Sequence, residues 1–237
     1  MNEIKGIIFD KDGTLFDFAA TWEAWAKAFL MRACQGDPER ATDVGHSIGF
    51  DLSEGRFSRD SIVIGGTVGE VAAVLAPQFP EHTESGLLDL LNDEAAKAPQ
   101  AEAVPLAALL AALRARGLQL GVATNDAQAP TLVHLTGAGV VDYFDFIAGF
   151  DSGYGGKPAP GQLLAFCADR GLDPQSVVMV GDSTHDLHAG RAARMRTVAV
   201  LTGLADTATL APLADAVLPD IGHLPAWLDA QALGLST

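Results

Sequence analysis

The sequence predicts an α/β fold: a doubly wound parallel sheet with an all-α segment, residues 17–98, inserted after the first strand. Three observations predict it. Short apolar runs rich in β-branched residues stop abruptly at polar groups, as strands buried on both faces of a parallel sheet do. From about residue 99 such runs alternate with helical patterns. Between residues 17 and 98 the strand pattern almost vanishes and helical spacing replaces it.

The first strand runs Ile4-Lys5-Gly6-Ile7-Ile8-Phe9 and passes straight into Asp10-Lys11-Asp12-Gly13-Thr14-Leu15. In open α/β sheets ligands bind beyond the carboxyl ends of the strands, where Asp10 falls. Side chains alternate along extended chain, so Asp10 and Asp12 point the same way, and Gly13 is free to turn the chain at positive φ. Two acids aimed into one site repel, so one keeps its proton or a cation joins them. Oxygen donors of this kind suit a hard divalent ion, Mg²⁺ foremost. A helix–loop–helix calcium site is excluded, because Leu15 and Thr21 stand where its glycine and glutamate belong. An acidic turn after an edge strand would show the same residues, so the other strand ends decide.

In the insert, Trp22, Trp25, Ala26 and Phe29 recur at helical steps. Thr67 and Glu70 form a capping box ahead of Val71, Val74 and Leu75. Leu87, Leu88, Leu90 and Leu91 make a third helical run. The remaining chain, 1–16 and 99–237, reads as the core, with hinges near 16–19 and 96–100. Pro105 opens a helix carrying Leu106, Leu109, Leu110 and Leu113, closed by Arg114 and Arg116 before Gly117. Strands follow at 119–123, 144–148, 177–180 and 197–201, with a weaker one at 216–218; helices near 127–136, 160–170 and 185–194 fill the gaps.

At 237 residues, 49% of them hydrophobic, the chain can bury a large core. A formal charge of −15 argues against nucleic-acid and anionic-membrane partners, which reward clustered Lys and Arg. It leaves an anionic substrate open, since a metal and one lysine can invert the field in a cleft. Cys34 and Cys167 give neither a disulfide framework nor zinc spacing. The chain begins in a strand without a leader and no apolar run approaches membrane-spanning length, so a soluble cytoplasmic protein is expected.

Other strand ends also finish in polar groups. The second ends at Thr124-Asn125 as a helix begins, a place suited to an anion such as phosphate and equally to an ordinary helix cap. Gly155-Gly156-Lys157-Pro158 offers close backbone approach and a point charge, but Pro158 stands where a P-loop needs Ser or Thr. The fourth ends Gly181-Asp182-Ser183-Thr184-His185-Asp186, and Asp186 can face the same place as Asp182 across one turn. His185 and His188 find no partners for a transition-metal site and read as surface or core-edge residues.

Taken in order, Asp10–Thr14, Thr124-Asn125, Lys157-Pro158 and Gly181–Asp186 resemble the four motifs of the haloacid dehalogenase superfamily, across the whole chain. The resemblance implies a Rossmann-like core, a helical cap and an aspartyl-phosphate intermediate on Asp10. Asp12 would be the general acid and base, as in the phosphoryl-transfer members, and the phosphoglycolate phosphatase group looks most similar. Mg²⁺ would be held by Asp10, the backbone carbonyl of Asp12 and Asp182, with Asp186 a further ligand or an orienting group. Thr124, Asn125 and Lys157 would hold the phosphoryl oxygens. The implied activity is hydrolysis of a small phosphorylated metabolite. A hexose-phosphate mutase on the same core is the alternative; a non-catalytic phospho-acceptor or binding module is disfavoured by the insert and by Asp12. Arg56 and Arg59 are the candidates to meet a substrate carboxylate, and Lys11, Phe16 and Trp22 to line the pocket. Monomer and homodimer are both compatible with the sequence.

Overall fold

The computed structural model describes residues 3–233. Strand β1 (Gly6–Phe9) is buried throughout. The insert follows with helices α1 (Phe18–Ala33) and α2 (Pro38–Ser47), short strands β2 (Phe50–Asp51) and β3 (Arg56–Phe57), and helices α3 (Val68–Leu75) and α4 (Glu84–Ala95). The chain then alternates: α5 (Leu106–Ala115), β4 (Gln119–Ala123), α6 (Gln128–Gly137), β5 (Phe146–Ala148), α7 (Gly161–Arg170), β6 (Val177–Gly181), α8 (Thr184–Ala192), β7 (Arg196–Val200), α9 (Thr207–Leu210), β8 (Ala216–Leu218) and α10 (Leu224–Ala232).

The sheet order is β5-β4-β1-β6-β7-β8 and every pairing is parallel. Period-two alternation sorts β1 between two layers. Ile7 and Phe9 join the cluster containing Leu110 of α5 and Leu224 and Trp227 of α10, while Ile8 joins Leu163 and Phe166 of α7 and Ala189 of α8. In register, Phe9 is level with Val122 on one side and Val180 on the other. Asp10, Thr124 and Asp182 therefore emerge together at one edge of the sheet.

The insert has its own core, with Trp25, Phe29, Leu30, Phe50, Leu75 and Leu91 fully or almost fully buried. Trp25 stacks on Phe29 with centroids 5.6 Å apart, the consequence of their four-residue spacing on α1. The Thr67–Glu70 capping box forms as expected. One feature departs from the all-helical reading of residues 17–98. Gly49 (φ +72°) and Gly55 (φ +70°) let the chain reverse, and Phe50 and Phe57 pair across the β2–β3 hairpin with centroids 4.8 Å apart. Helix α2 is mostly polar and gives little periodic signal; Asp37, capping the N–H groups of Glu39 and Arg40, starts it. Cys34 and Cys167 are buried and free. Among the described residues no helix is long and apolar enough to cross a membrane.

Helix α7 lies close to the strand that carries Asp10 because two strand positions lack side chains. A Cβ at Gly121 would stand 3.0 Å from the Phe166 ring, and one at Gly6 would stand 3.3 Å from it. Phe166 is fully buried there. Phe166→Ala should cost about 3–5 kcal/mol of stability in urea unfolding, and Phe166→Leu clearly less. A loss below about 1 kcal/mol for the alanine variant would show that this contact does not hold the layer.

Candidate active site

Asp10 leaves β1 with its N–H still donating to Val180 O (2.8 Å), so strand geometry carries its carboxylate to the sheet edge. Gly13 then turns the chain at φ +80°. That turn is pinned by the Gly13 N–H to Phe16 O (2.7 Å) and by the Thr202 hydroxyl to Gly13 O (2.6 Å). Gly13 and Gly203 lie so close to the Asp182 carboxylate that a side chain at either would displace it.

Asp182 follows β6 directly, and Ser183 caps α8. The Asp186 carboxylate accepts from the Ser183 N–H (3.0 Å) and hydroxyl (2.7 Å) through Oδ2. Its Oδ1 accepts from the Lys157 ammonium at 2.6 Å, and that ammonium also donates to Asp10 Oδ1 at 2.6 Å. Lys157 is fixed through its backbone: its N–H donates to Asn125 Oδ1 (2.8 Å), and Asn125 Nδ2 donates to Lys157 O (2.9 Å) and Gly65 O (2.7 Å). The Asn125 amide is thus committed to Lys157 and to the insert, not aimed at an anion. The Thr124 hydroxyl accepts from the Asp126 N–H (3.0 Å) and lines the pocket.

Asp10, Asp182 and Asp186 each offer a carboxylate oxygen, and these lie within 4.8 Å of one another. All three are buried. Burial raises Asp10 to about 7; Lys157 opposes the rise, while Asp186 and Asp12 add to it. Asp182 is pushed well above the usual carboxylate range by burial and then by the charges of Asp10 and Asp186. Burial opposes the charge on Lys157, but Asp10 and Asp186 outweigh it and raise its pKa. One ammonium among several converging acids leaves uncompensated negative charge, and hard oxygen donors are what a divalent cation requires. These residues fit such an ion.

A second buried charge cluster adjoins the first, and the sequence reading did not find it. Lys11 is fully buried and does not line the pocket, contrary to the substrate-contact expectation. Its ammonium donates to Asp12 Oδ1 at 2.8 Å, lies 3.2 Å from Asp126 Oδ2 as an ion pair, and meets His134 Nδ1 at 3.1 Å. An ammonium only donates, so Nδ1 accepts and the Nε2–H of His134 donates to Ala95 O (2.7 Å) at the end of α4. Burial, then Lys11, lowers His134 to about 4. Burial raises Asp126 to about 6 against the pull of Lys11. Two signals were available: Asp126 directly follows Thr124-Asn125, and His134 interrupts the buried face of α6.

Around Asp10, Asp12, Thr124 and Lys157 the pocket is walled by Phe18, Trp22, Trp25, Val63, Ile64, Val68 and Val71 of the insert, with Gly65, Gly66 and His185 at their meeting line. Trp22 is there as expected. Phe16 is fully buried in the core cluster and does not reach the pocket. His185 packs its Nδ1–Cε1 edge against Gly65. Arg56 and Arg59 are not in the lining. Arg56 sits on the exposed hairpin, in a groove with His46 and Glu54. Arg59 occupies a neighbouring groove with Asp206, which hydrogen bonds from Thr209 and, more weakly, the Arg59 charge hold below the usual carboxylate range.

The Lys11 cluster gives a pH-dependent expectation. Burial holds folded Asp126 at a pKa of about 6, above its ordinary value of 3.8, so between those values the folded state holds a proton the unfolded state has lost. Its contribution to stability therefore falls as pH rises from about 4 to about 6. Removing Lys11 raises the folded pKa further and extends that fall. Lys11→Met should cost about 3–5 kcal/mol at pH 8 and distinctly less at pH 5, and adding Asp126→Asn should recover part of it. Equal losses at both pH values in urea unfolding would contradict the pairing.

Residues 4–194 match the family model of the haloacid dehalogenase-like hydrolases. The chain is 31% identical over 220 residues to a phosphoglycolate phosphatase of Nitrosospira multiformis, covering 92% of each chain. It is 32% identical over 205 residues to an N-acetylmuramic acid 6-phosphate phosphatase of Pseudomonas aeruginosa, covering 84% of this chain and 83% of that one. The crystal structure of a β-phosphoglucomutase from Clostridium difficile superposes with a TM-score of 0.66 at 17% identity, covering 97% of this chain and 99% of that one, which speaks for the fold alone. The motif order, the parallel sheet and the acids gathered at its edge agree with these matches: the chain belongs to the haloacid dehalogenase-like hydrolase family, among its phosphatases.

Proposed function

We propose that the protein is a Mg²⁺-dependent phosphomonoester hydrolase that works through an aspartyl phosphate on Asp10, with a small phosphorylated metabolite as substrate and residues 17–98 as the cap over its site. The observation that carries this reading is the placement of Asp10: a buried carboxylate at the end of the central strand, gripped by Lys157 at 2.6 Å and facing Asp182 and Asp186. A carboxylate is a useful nucleophile only when ionised. Burial works against ionisation here, and both Lys157 and a bound cation would favour it.

Asp10 and Asp182 are the side chains that would hold the ion, with the Asp12 carbonyl. Asp186 already uses both oxygens, on Lys157 and on Ser183, and so orients Lys157. Bound there, Mg²⁺ would neutralise carboxylate and phosphoryl charge. Asp10 attacks phosphorus in line as the bond to the leaving oxygen breaks, and Asp12 gives that oxygen a proton. Asp12 then takes a proton from the water that attacks the aspartyl phosphate, which restores Asp10 and releases inorganic phosphate. Thr124 and Lys157 steady the phosphoryl oxygens. Lys11, bonded to Asp12 at 2.8 Å, fixes the position of that acid.

The test is direct. Asp10→Asn should stay folded, release no phosphate above background and trap no label from a phosphorylated substrate. Asp12→Asn should lower kcat by about 10²–10⁴-fold. Undiminished turnover in Asp10→Asn would overturn the proposal. Phosphate release that required a sugar bisphosphate activator, and returned the group to sugar, would mark a mutase instead.

A further inference from the structure

We infer that the leaving group this site accepts is an uncharged alcohol with an apolar body, and that a second anionic group such as a carboxylate is selected against. The inference rests on the phosphatase reading and narrows it. With the phosphoryl group at Asp10, Thr124 and Lys157, the leaving group must face the insert. That wall is made of Phe18, Trp22, Trp25, Val63, Ile64, Val68 and Val71. Trp22 and Trp25 meet edge to face at 5.2 Å, and the Trp25 indole N–H is spent on Leu91 O (3.2 Å). The surface presented is aromatic and aliphatic.

A carboxylate would need a cation or a nest of free N–H groups. Among the described lining residues two side chains can carry positive charge. Lys157 is already shared between Asp10 and Asp186, and His185 lies with its Nδ1–Cε1 edge on Gly65. The loop from Ile64 to Gly66 looks like a nest but is not one. Its N–H groups turn inward: Ile64 to Ser61 O (3.2 Å), and Gly65 and Gly66 both to Ile62 O. The Gly65 carbonyl takes the Asn125 amide.

The positive end of α3, which follows that loop, already carries a carboxylate. Glu70 lays its carboxylate on the Thr67 N–H (2.7 Å) and hydroxyl (3.0 Å). A substrate anion would meet the carboxylates of Asp12 and Asp186 on the opposite wall. Of the arginines that could have answered it, Arg56 lies in a separate groove. Arg59 lies in an adjoining groove that shares Ile64, Gly65, Ser183 and His185 with the pocket, where it stands with Asp206 and does not line the pocket itself. Burying a charge against indole and valine without a partner is unfavourable, whereas an apolar body gains from the same surface.

The experiment compares phosphate release with Mg²⁺ from benzyl phosphate, 2-phosphoglycolate and glucose 6-phosphate, all esters of alkyl alcohols. The expected kcat/KM for benzyl phosphate exceeds both others at least tenfold. Val63→Arg, which places a cation in the apolar wall, should shift the ratio toward 2-phosphoglycolate at least fivefold. If 4-nitrophenyl phosphate is cleaved but benzyl phosphate is no better than 2-phosphoglycolate or glucose 6-phosphate, the substrate class is wrong and the phosphatase reading stands. If no phosphomonoester is cleaved, both fall.

Discussion

Four carboxylates, Asp10, Asp12, Asp182 and Asp186, crowd the edge of the sheet where β1 and β6 end, and Lys157 enters among them from the loop after β5. Such a cluster is unfavourable unless protons or cations offset it; burial foremost, and then the neighbouring carboxylates, raise Asp10 and Asp182 above the usual carboxylate range. Much of the surrounding structure exists to hold it together. The Asn125 amide clamps both backbone groups of Lys157, Ser183 holds Asp186, and Gly13 and Gly203 leave just enough room for Asp182. The apolar layers beneath supply the rigidity that keeps like charges from moving apart.

The insert is tied to this edge at two polar points. Asn125 reaches the Gly65 carbonyl in the loop before α3, and His134 reaches the Ala95 carbonyl at the end of α4. Each tie also touches the catalytic side, Asn125 through Lys157 and His134 through Lys11 to Asp12. The position of the insert and the positions of Lys157 and Asp12 are therefore mechanically linked. Because Lys11 can only donate, His134 must accept at Nδ1, and its other nitrogen has a proton to give only to Ala95.

Strand positions were legible in the sequence because each apolar run ends sharply: 119–123 and 216–218 match β4 and β8, and the Thr67–Glu70 box starts α3 as read. Asp10, Asp182 and Lys157 were legible for the same reason, the two acids directly following a strand and the lysine a glycine pair, and Asp12 and Asp186 from their spacing to those acids. What could not be read depends on contacts between distant segments. Nothing local in Lys11 says that its charge is answered by Asp126 and His134, more than a hundred residues away. Arg56 and Arg59 carried the right charge for a substrate carboxylate, but the Gly49 and Gly55 turns fold Arg56 into an exposed hairpin outside the pocket lining, and Arg59 falls in the adjoining groove with Asp206. The helical spacing of Trp22 and Trp25 marks a packed stripe, and Trp22 lines the pocket as expected; that Trp25 joins it there depends on how the insert folds over the sheet.

The central claim is that Asp10 and Asp182 are acids held partly protonated by burial until a divalent cation takes the place of those protons. Calorimetric titration of the protein with MgCl₂ at pH 7, repeated in buffers of different ionisation enthalpy, counts protons released per ion bound. The account predicts one site that releases a substantial fraction of a proton on binding, with binding lost in Asp182→Asn. Mg²⁺ binding with no proton release, or binding unchanged in that variant, would contradict it.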